Sequence, residues 1–313
     1  MAATSIPVVT LSDYLHGGEP AKSSFVRTFG EALHEFGFVS VRGHDIDPSH
    51  IQGAYDAVKR YFALDLAAKK RTTIEGSGGN RGYVAFGAEH AKDRKVGDMK
   101  EFFHLGRELP DLGPGGANAF PAELPDFEPA TRTLFGDLER VAGTLLEALA
   151  VYFGAPPDTF TRMTVGGNSI LRLIHYPPLR EAFVPGALRA AEHEDINLIT
   201  LLCEATDSGL EILTREGDWL AVASGPGQIV VDAGDMLSRY TNEVVPATTH
   251  RVVNPENGEA RERFSMPFFV HPYSACDLTV HPRFVAAERP AKYAPITAGG
   301  FLEERLREIG LKK

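Results

Sequence analysis

Cysteine is scarce: 313 residues contain only Cys203 and Cys276. A disulfide framework therefore does not hold this chain together, and two free thiols in a reducing cytoplasm are the expectation. Long apolar runs are also missing. None approaches the roughly 20 residues of a membrane-spanning helix. The opening MAATSIPVVTLSDY has neither the basic start nor the apolar stretch of a secretory signal. Positive charge is the third shortage. The chain has 42 acidic residues against 32 Lys plus Arg, a formal net charge of −10. That balance disfavours nucleic acid and anionic membranes as partners, since both need positive surface. An anionic small molecule would need a dedicated cation in its pocket.

What is present is an ordinary globular composition, 43% hydrophobic and 24% charged. There is no internal repeat and no low-complexity tract. The first half reads as helical. Over residues 24–36, Phe25, Phe29, Ala32, Leu33 and Phe36 fall on one face at helical spacing. GFVSVRG (37–43) reads as a short strand, and Asp47-Pro48 opens a second helix with an apolar stripe from Ile51 to Phe62. A third helix carries Leu134, Leu138, Val141, Leu145, Leu149 and Tyr152. Two Gly- and Pro-rich stretches, 76–87 and 109–121, read as loops of a length that often builds pocket walls. After Gly166 short β-rich runs follow one another, which predicts a sandwich or barrel. Helices first and strands second make an α+β chain, and no linker marks a boundary near residue 165.

One strand carries residues that a buried strand should exclude. HEDINLITLL (193–202) begins with a base and two acids and continues as an apolar run. Residues two apart on a strand point to one face, about 6–7 Å apart, so His193 and Asp195 can share a metal. His250, in another β-like run, is the candidate third ligand. Two His and one carboxylate on one side of a metal leave its other positions open, the pattern of non-haem Fe(II) oxygenases. The plainer alternative is a surface pair capping a turn. Arg263 and Ser265 in RFS again share a face, with Phe264 turned the other way. An arginine inside an apolar strand requires an anion, and its fork suits a carboxylate gripped in bidentate fashion. A salt bridge to one of the protein's own acids is the rival. In LRLIHYP (171–177), alternation sets Arg172, Ile174 and Tyr176 on one face, where the Tyr176 hydroxyl could reach the same anion or simply be a core tyrosine. His271, Cys276 and His281 fit no zinc spacing.

These pieces together resemble the isopenicillin-N-synthase-like branch of the Fe(II)/2-oxoglutarate-dependent oxygenases. IPVVTLSDY, GFVSVRGHDI, GYVAFGAEHAKD, MKEFFHLGRE and KYAPITAGGFLEERL carry the similarity along nearly the whole chain, and the order H-x-D, distant H, R-x-S is its specific part. The resemblance implies a double-stranded β-helix, a cupin-like jelly roll, flanked by helices. It implies one oxygenase domain over 1–313, with a mainly helical region at 1–165, the metal-binding core at 166–285 and a C-terminal helix at 286–313. It also implies Fe(II) on His193, Asp195 and His250, with 2-oxoglutarate on Arg263 and Ser265, assisted by Tyr176. The implied reaction consumes O2, releases succinate and CO2, and oxidises a C–H bond of a small molecule, with hydroxylation the usual outcome. By their position in the family pattern, Arg81, Tyr83, Phe102, Phe103, Arg172 and Phe269 are candidates for the pocket wall, with ordinary packing as the alternative for each. The chain departs from the pattern at Asn197, where the branch often has Gly, and at Ile174, where plant members have a cosubstrate-contacting Asn. Asn257-Gly258 suggests a hairpin that absorbs a slightly long segment before Arg263. HEDINLITLL is closer to isopenicillin N synthase itself, whose R-x-S pair holds the substrate's own carboxylate, so the alternative is an oxidase or cyclase that needs no 2-oxoglutarate. The chain ends GLKK, without that enzyme's iron-reaching glutamine, which favours the cosubstrate-dependent reading. The expected location is the cytoplasm; a monomer is compatible with the sequence.

Overall fold

The computed structural model describes residues 5–89, 97–178, 188–223, 225–254 and 262–308. The first strand, β1 (Val8–Thr10), and helix α1 (Leu11–Leu15) lead into α2 (Glu19–Phe36). Helix α2 starts earlier than its apolar stripe because Pro20 supplies a preset first turn, and it stops at Gly37, whose φ of 66° closes the helix. Strand β2 (Phe38–Arg42) follows, then α3 (Pro48–Phe62), where the Asp47 carboxylate accepts from the Ser49 amide at 2.8 Å. A short α4 (Leu66–Lys70) precedes the strands β3 (Gly82–Val84) and β4 (Glu101–Gly106). The Pro-rich loop 109–121 contains a 3-10 turn, Pro110–Gly116. Helix α5 (Phe127–Tyr152) buries Leu134, Leu138, Val141, Leu145 and Leu149. It lies so close to α2 that a Cβ at Gly30 would stand 2.1 Å from the Tyr152 ring.

After α6 (Thr161–Thr164) come β5 (Ile170–Tyr176), β6 (Ala190–His193), β7 (Ile199–Cys203), β8 (Leu210–Leu213), β9 (Trp219–Ala221) and β10 (Gln228–Ala233). Helix α7 (Asp235–Tyr240), β11 (His250–Val252), β12 (Arg263–Ser265), β13 (Pro267–Val270) and α8 (Ala298–Glu308) complete the described elements. Nine strands form the larger sheet in the order β1-β2-β10-β7-β13-β5-β4-β3, with β12 also on β5. The smaller sheet is β6-β11-β8-β9. Pairing is antiparallel except between β1 and β2. This is the expected jelly roll with helices on its outside. The helices cover one face of the larger sheet in a core that runs from Phe29 and Val58 through Leu145 to Leu201 and Phe268. A smaller apolar cluster of Phe38, Val230 and Ile212 joins strands of the two sheets.

Two local expectations change. His193 and Asp195 do not share a strand: β6 ends at His193 and Asp195 lies in the connection to β7. Side chains there are brought together by a turn rather than by strand alternation. The run RFSMPFFV is broken at Met266 into β12 and β13, both paired with β5. The Asn257-Gly258 hairpin lies outside the described residues.

Candidate metal centre and its two cavities

His250 on β11 pairs with His193 on β6, so the smaller sheet sets two imidazoles side by side with ring centroids 4.4 Å apart. Asp195 Oδ1 lies 3.9 Å from His193 Nε2 and 3.8 Å from His250 Nε2. One donor atom from each of the three falls within 4.8 Å of the others, and this is the sole such group among the described residues. Each imidazole is oriented by its other nitrogen. His193 Nδ1 is 2.7 Å from the Ala191 carbonyl and His250 Nδ1 is 3.1 Å from that of Thr248. A carbonyl only accepts, so Nδ1 carries the proton and Nε2 offers its lone pair inward. Burial, then the neighbouring His193, pushes the His250 imidazole down to about 4, which keeps it in the neutral, ligating form.

Asp195 is fixed from behind. The Thr200 hydroxyl donates to Asp195 Oδ2, and the fully buried Asn197 donates through Nδ2 to Thr200 Oγ1 at 3.0 Å and to the Ile199 carbonyl at 3.0 Å. The asparagine at the family's glycine position is therefore part of the carboxylate's support. The buried Asp232 on β10 comes within 4.0 Å of His250 Nδ1. Burial and the charge of Asp195 hold its carboxyl well above the usual range.

An inner cavity of about 70 Å³ adjoins His193, Asp195 and His250. It is lined by Arg263, Ser265 and Tyr176, and by apolar side chains that include Ile174, Leu202 and Val230. Arg263 is 2% exposed, and its Nε donates to the Asp207 carbonyl at 3.2 Å. Its Nη1 is buried with no hydrogen-bond partner. The salt bridge to a protein acid, the rival of the sequence reading, does not form among the described residues. An unsatisfied buried guanidinium N–H costs about 1–3 kcal/mol or more, so this atom requires an acceptor. The donor set and this free cation fit a dication and a carboxylate ligand.

An outer cavity of about 180 Å³ shares His193, Asp195, Lys100, Arg172 and Phe269 with the inner one. Of the six expected pocket-wall residues, Arg172 and Phe269 are brought here. The other four line neither cavity. Arg81 is fully buried and bonds the carbonyls of Asn80 (2.8 Å) and Arg107 (3.2 Å) and Asn168 Oδ1 (2.7 Å), so it braces a loop. Tyr83 donates to Glu101 in the core. Alternation on β4 sends Phe103 to Tyr61 and Phe127, while Phe102 lies beneath Arg172, its ring centroid 4.4 Å from the guanidinium carbon. Sequence reasoning missed Glu89, Asp98, Lys100, His104 and Asn80 in this wall. Charges in the AEHAKD and MKEFF stretches were the available signal. His271, weighed and rejected for zinc, also lines the outer cavity. His281 instead caps the Pro282–Phe284 turn, accepting from Arg283 N at 3.2 Å.

Comparison with known proteins agrees with this geometry. Residues 167–272 match the family model of the 2OG-Fe(II) oxygenase superfamily, and residues 6–126 match that of the non-haem dioxygenase in morphine synthesis N-terminal region. A 2OG-Fe(II) oxygenase family protein from Caulobacter crescentus is 40% identical, superposes with a TM-score of 0.86, and aligns with 98% of this chain and 100% of its own. A full-length Neurospora crassa protein, solved in complex with alpha-KG and thymine, is 28% identical with a TM-score of 0.87 over 98% of each chain. The 2-oxoglutarate-Fe(II) type oxidoreductase hxnY of Emericella nidulans is 30% identical over 95% of this chain and 88% of its own.

Proposed function

Since the chain belongs to the 2-oxoglutarate- and Fe(II)-dependent oxygenases, we propose that His193, Asp195 and His250 hold the iron and that Arg263, Ser265 and Tyr176 hold the cosubstrate's distal carboxylate. The protein is a 2-oxoglutarate-dependent dioxygenase, with Fe(II), 2-oxoglutarate and O2 as its cofactor and cosubstrates. Iron held by His193, Asp195 and His250 would, with O2, supply the oxidising power for decarboxylating 2-oxoglutarate to succinate and CO2 and for oxidising a C–H bond of a small molecule. The chain's own groups do the placing. Ala191 and Thr248 carbonyls fix the ligating tautomers, Thr200 holds the carboxylate, and apolar side chains of the inner cavity exclude water. Hydroxylation is the proposed outcome.

The single observation that carries the residue assignment is the partnerless Nη1 of Arg263 in a cavity shared with the three ligands. The 2-oxoglutarate-dependent relatives, rather than this atom, favour the cosubstrate-dependent reaction over an oxidase that binds substrate alone. The test is anaerobic titration of Fe(II)-loaded protein with 2-oxoglutarate. A weak visible charge-transfer band, lost in His193→Ala, is expected; absence of any band together with absence of succinate release overturns the assignment. We further take residues 1–313 as one oxygenase domain, supported by a core shared between both halves. We place it in the cytoplasm, supported by two buried free thiols.

A further inference from the structure

The outer cavity contains a cluster of buried charges to which the proposal above gives no part, although two of them, Lys100 and Arg172, also line the inner cavity. Arg172 on β5 donates through Nη1 and Nη2 to the two oxygens of Glu89, at 3.2 Å each, and through Nε to His104 Nε2 at 2.6 Å. His104 can accept there because its Nδ1 faces the Gly79 carbonyl at 2.7 Å. Lys100 joins Glu89 at 2.8 Å and Asp98 at 2.9 Å. Burial works against ionised Glu89, but the Arg172 and Lys100 charges outweigh it and hold the carboxyl below its usual range. Two cations and two carboxylates therefore cancel.

Arg172 nonetheless keeps capacity for a ligand. A guanidinium has five N–H donors, and these bonds occupy three. Two aromatic rings flank it, Phe102 and Phe269, whose centroids lie 4.4 and 5.1 Å from the guanidinium carbon. Arg172 lines the cavity, where its remaining N–H groups are the donors it offers. Nearby, His271 is 7% exposed and its Nδ1 has no partner. Burial pushes this imidazole down to about 4, so it is neutral. Among the described residues, the rest of the wall offers no surplus positive charge: Glu192, Glu194, Asp235 and Glu308 face one further cation, Arg305. A ferrous ion offset by Asp195 and by a dianionic cosubstrate does not supply it either.

We propose that the outer cavity selects an uncharged substrate bearing a carbonyl or amide, received by the N–H edge of Arg172 beside His271, and discriminates against the corresponding carboxylate. The proposal rests on the oxygenase reading above and names its substrate class. Glu89 is the specificity-determining residue, because it spends the charge of Arg172 while leaving its donors. This differs from Arg263, whose charge has no protein carboxylate beside it among the described residues and which therefore suits an anion.

The test is anaerobic calorimetry on protein loaded with Fe(II) and 2-oxoglutarate, using matched pairs: benzamide against benzoate, cyclohexanecarboxamide against its carboxylate, and uracil against orotate. The uncharged member of at least one pair is expected to bind about tenfold or more tightly than its partner, the scale of one hydrogen bond to a charged group. Glu89→Gln, which frees the Arg172 charge, is expected to reverse that preference. Arg172→Gln is expected to abolish it and serves where Glu89→Gln melts at a lower temperature than the parent. Tighter binding of the carboxylates by the parent protein, binding of neither member of any pair, or a preference untouched by both variants overturns the proposal. Binding of 2-oxoglutarate itself is measured first: if it persists while the pairs are not discriminated, the substrate class fails and the oxygenase assignment stands.

Discussion

Arg263 and Tyr176 are directly opposite each other on β12 and β5, with the guanidinium carbon 4.9 Å from the tyrosine ring centroid. The cation sits against the ring, and its Nη1 has no hydrogen-bond partner. Arg263→Gln is therefore expected to raise the 2-oxoglutarate KM about 10- to 100-fold, the value of hydrogen bonds to a charged group. Steady-state succinate release measures it, and an unchanged KM would separate Arg263 from the cosubstrate.

Thr200→Val keeps the side chain's shape and removes the hydroxyl that donates to Asp195. Loss of such support for a ligand lowers metal affinity by roughly 10- to 100-fold. Anaerobic Fe(II) titration of the variant reads this directly. Wild-type affinity in the variant would mean that the turn alone orients the carboxylate.

His271 sets a pH dependence in the metal-free protein. Burial lowers its pKa from 6.5 to about 4. Between those values the unfolded chain binds a proton that the folded chain refuses, so stability rises with pH. It is fully present above about pH 6.5 and is lost as pH falls towards 4. His271→Asn is expected to flatten that part of a melting-temperature profile recorded without iron. A profile as steep as the parent's would assign the slope to other groups, His250 first among them.

Phe103 is fully buried against Tyr61 and Phe127 and lines neither cavity. Phe103→Ala is expected to cost about 3–5 kcal/mol of stability, read by denaturant unfolding. The 2-oxoglutarate KM of the folded fraction is expected to stay at the parental value. A changed KM at unchanged stability would return Phe103 to the pocket wall.

Some of this site was readable from residue order alone. Strand alternation put Arg263 with Ser265, and Arg172 with Ile174 and Tyr176, and all five line the cavities. That period-two rule needs no knowledge of distant chain. The rule gave the right grouping for His193 and Asp195 for the wrong reason, since a turn joins them. What stayed hidden depends on contacts between remote segments: Glu89 meets Arg172 across 83 positions, and Arg81 finds Asn168 across 87. A buried charge in sequence looks the same whether it faces a ligand or a backbone carbonyl, which is why Arg81 and Arg172 were indistinguishable before folding. Asn197 looked like a departure from a pattern, and its role appeared only once its amide was seen on Thr200.

Strand β10 pairs with β7 on one side and with β2, from the helical half, on the other. A chimera that exchanged the first 165 residues for those of a relative would replace β2, so the incoming segment must supply a strand that restores the pairing with β10. Severed at that point, the catalytic half would present a raw sheet margin to every other copy in solution and clump. Grafting efforts should therefore cut inside loops that carry no strand across the join.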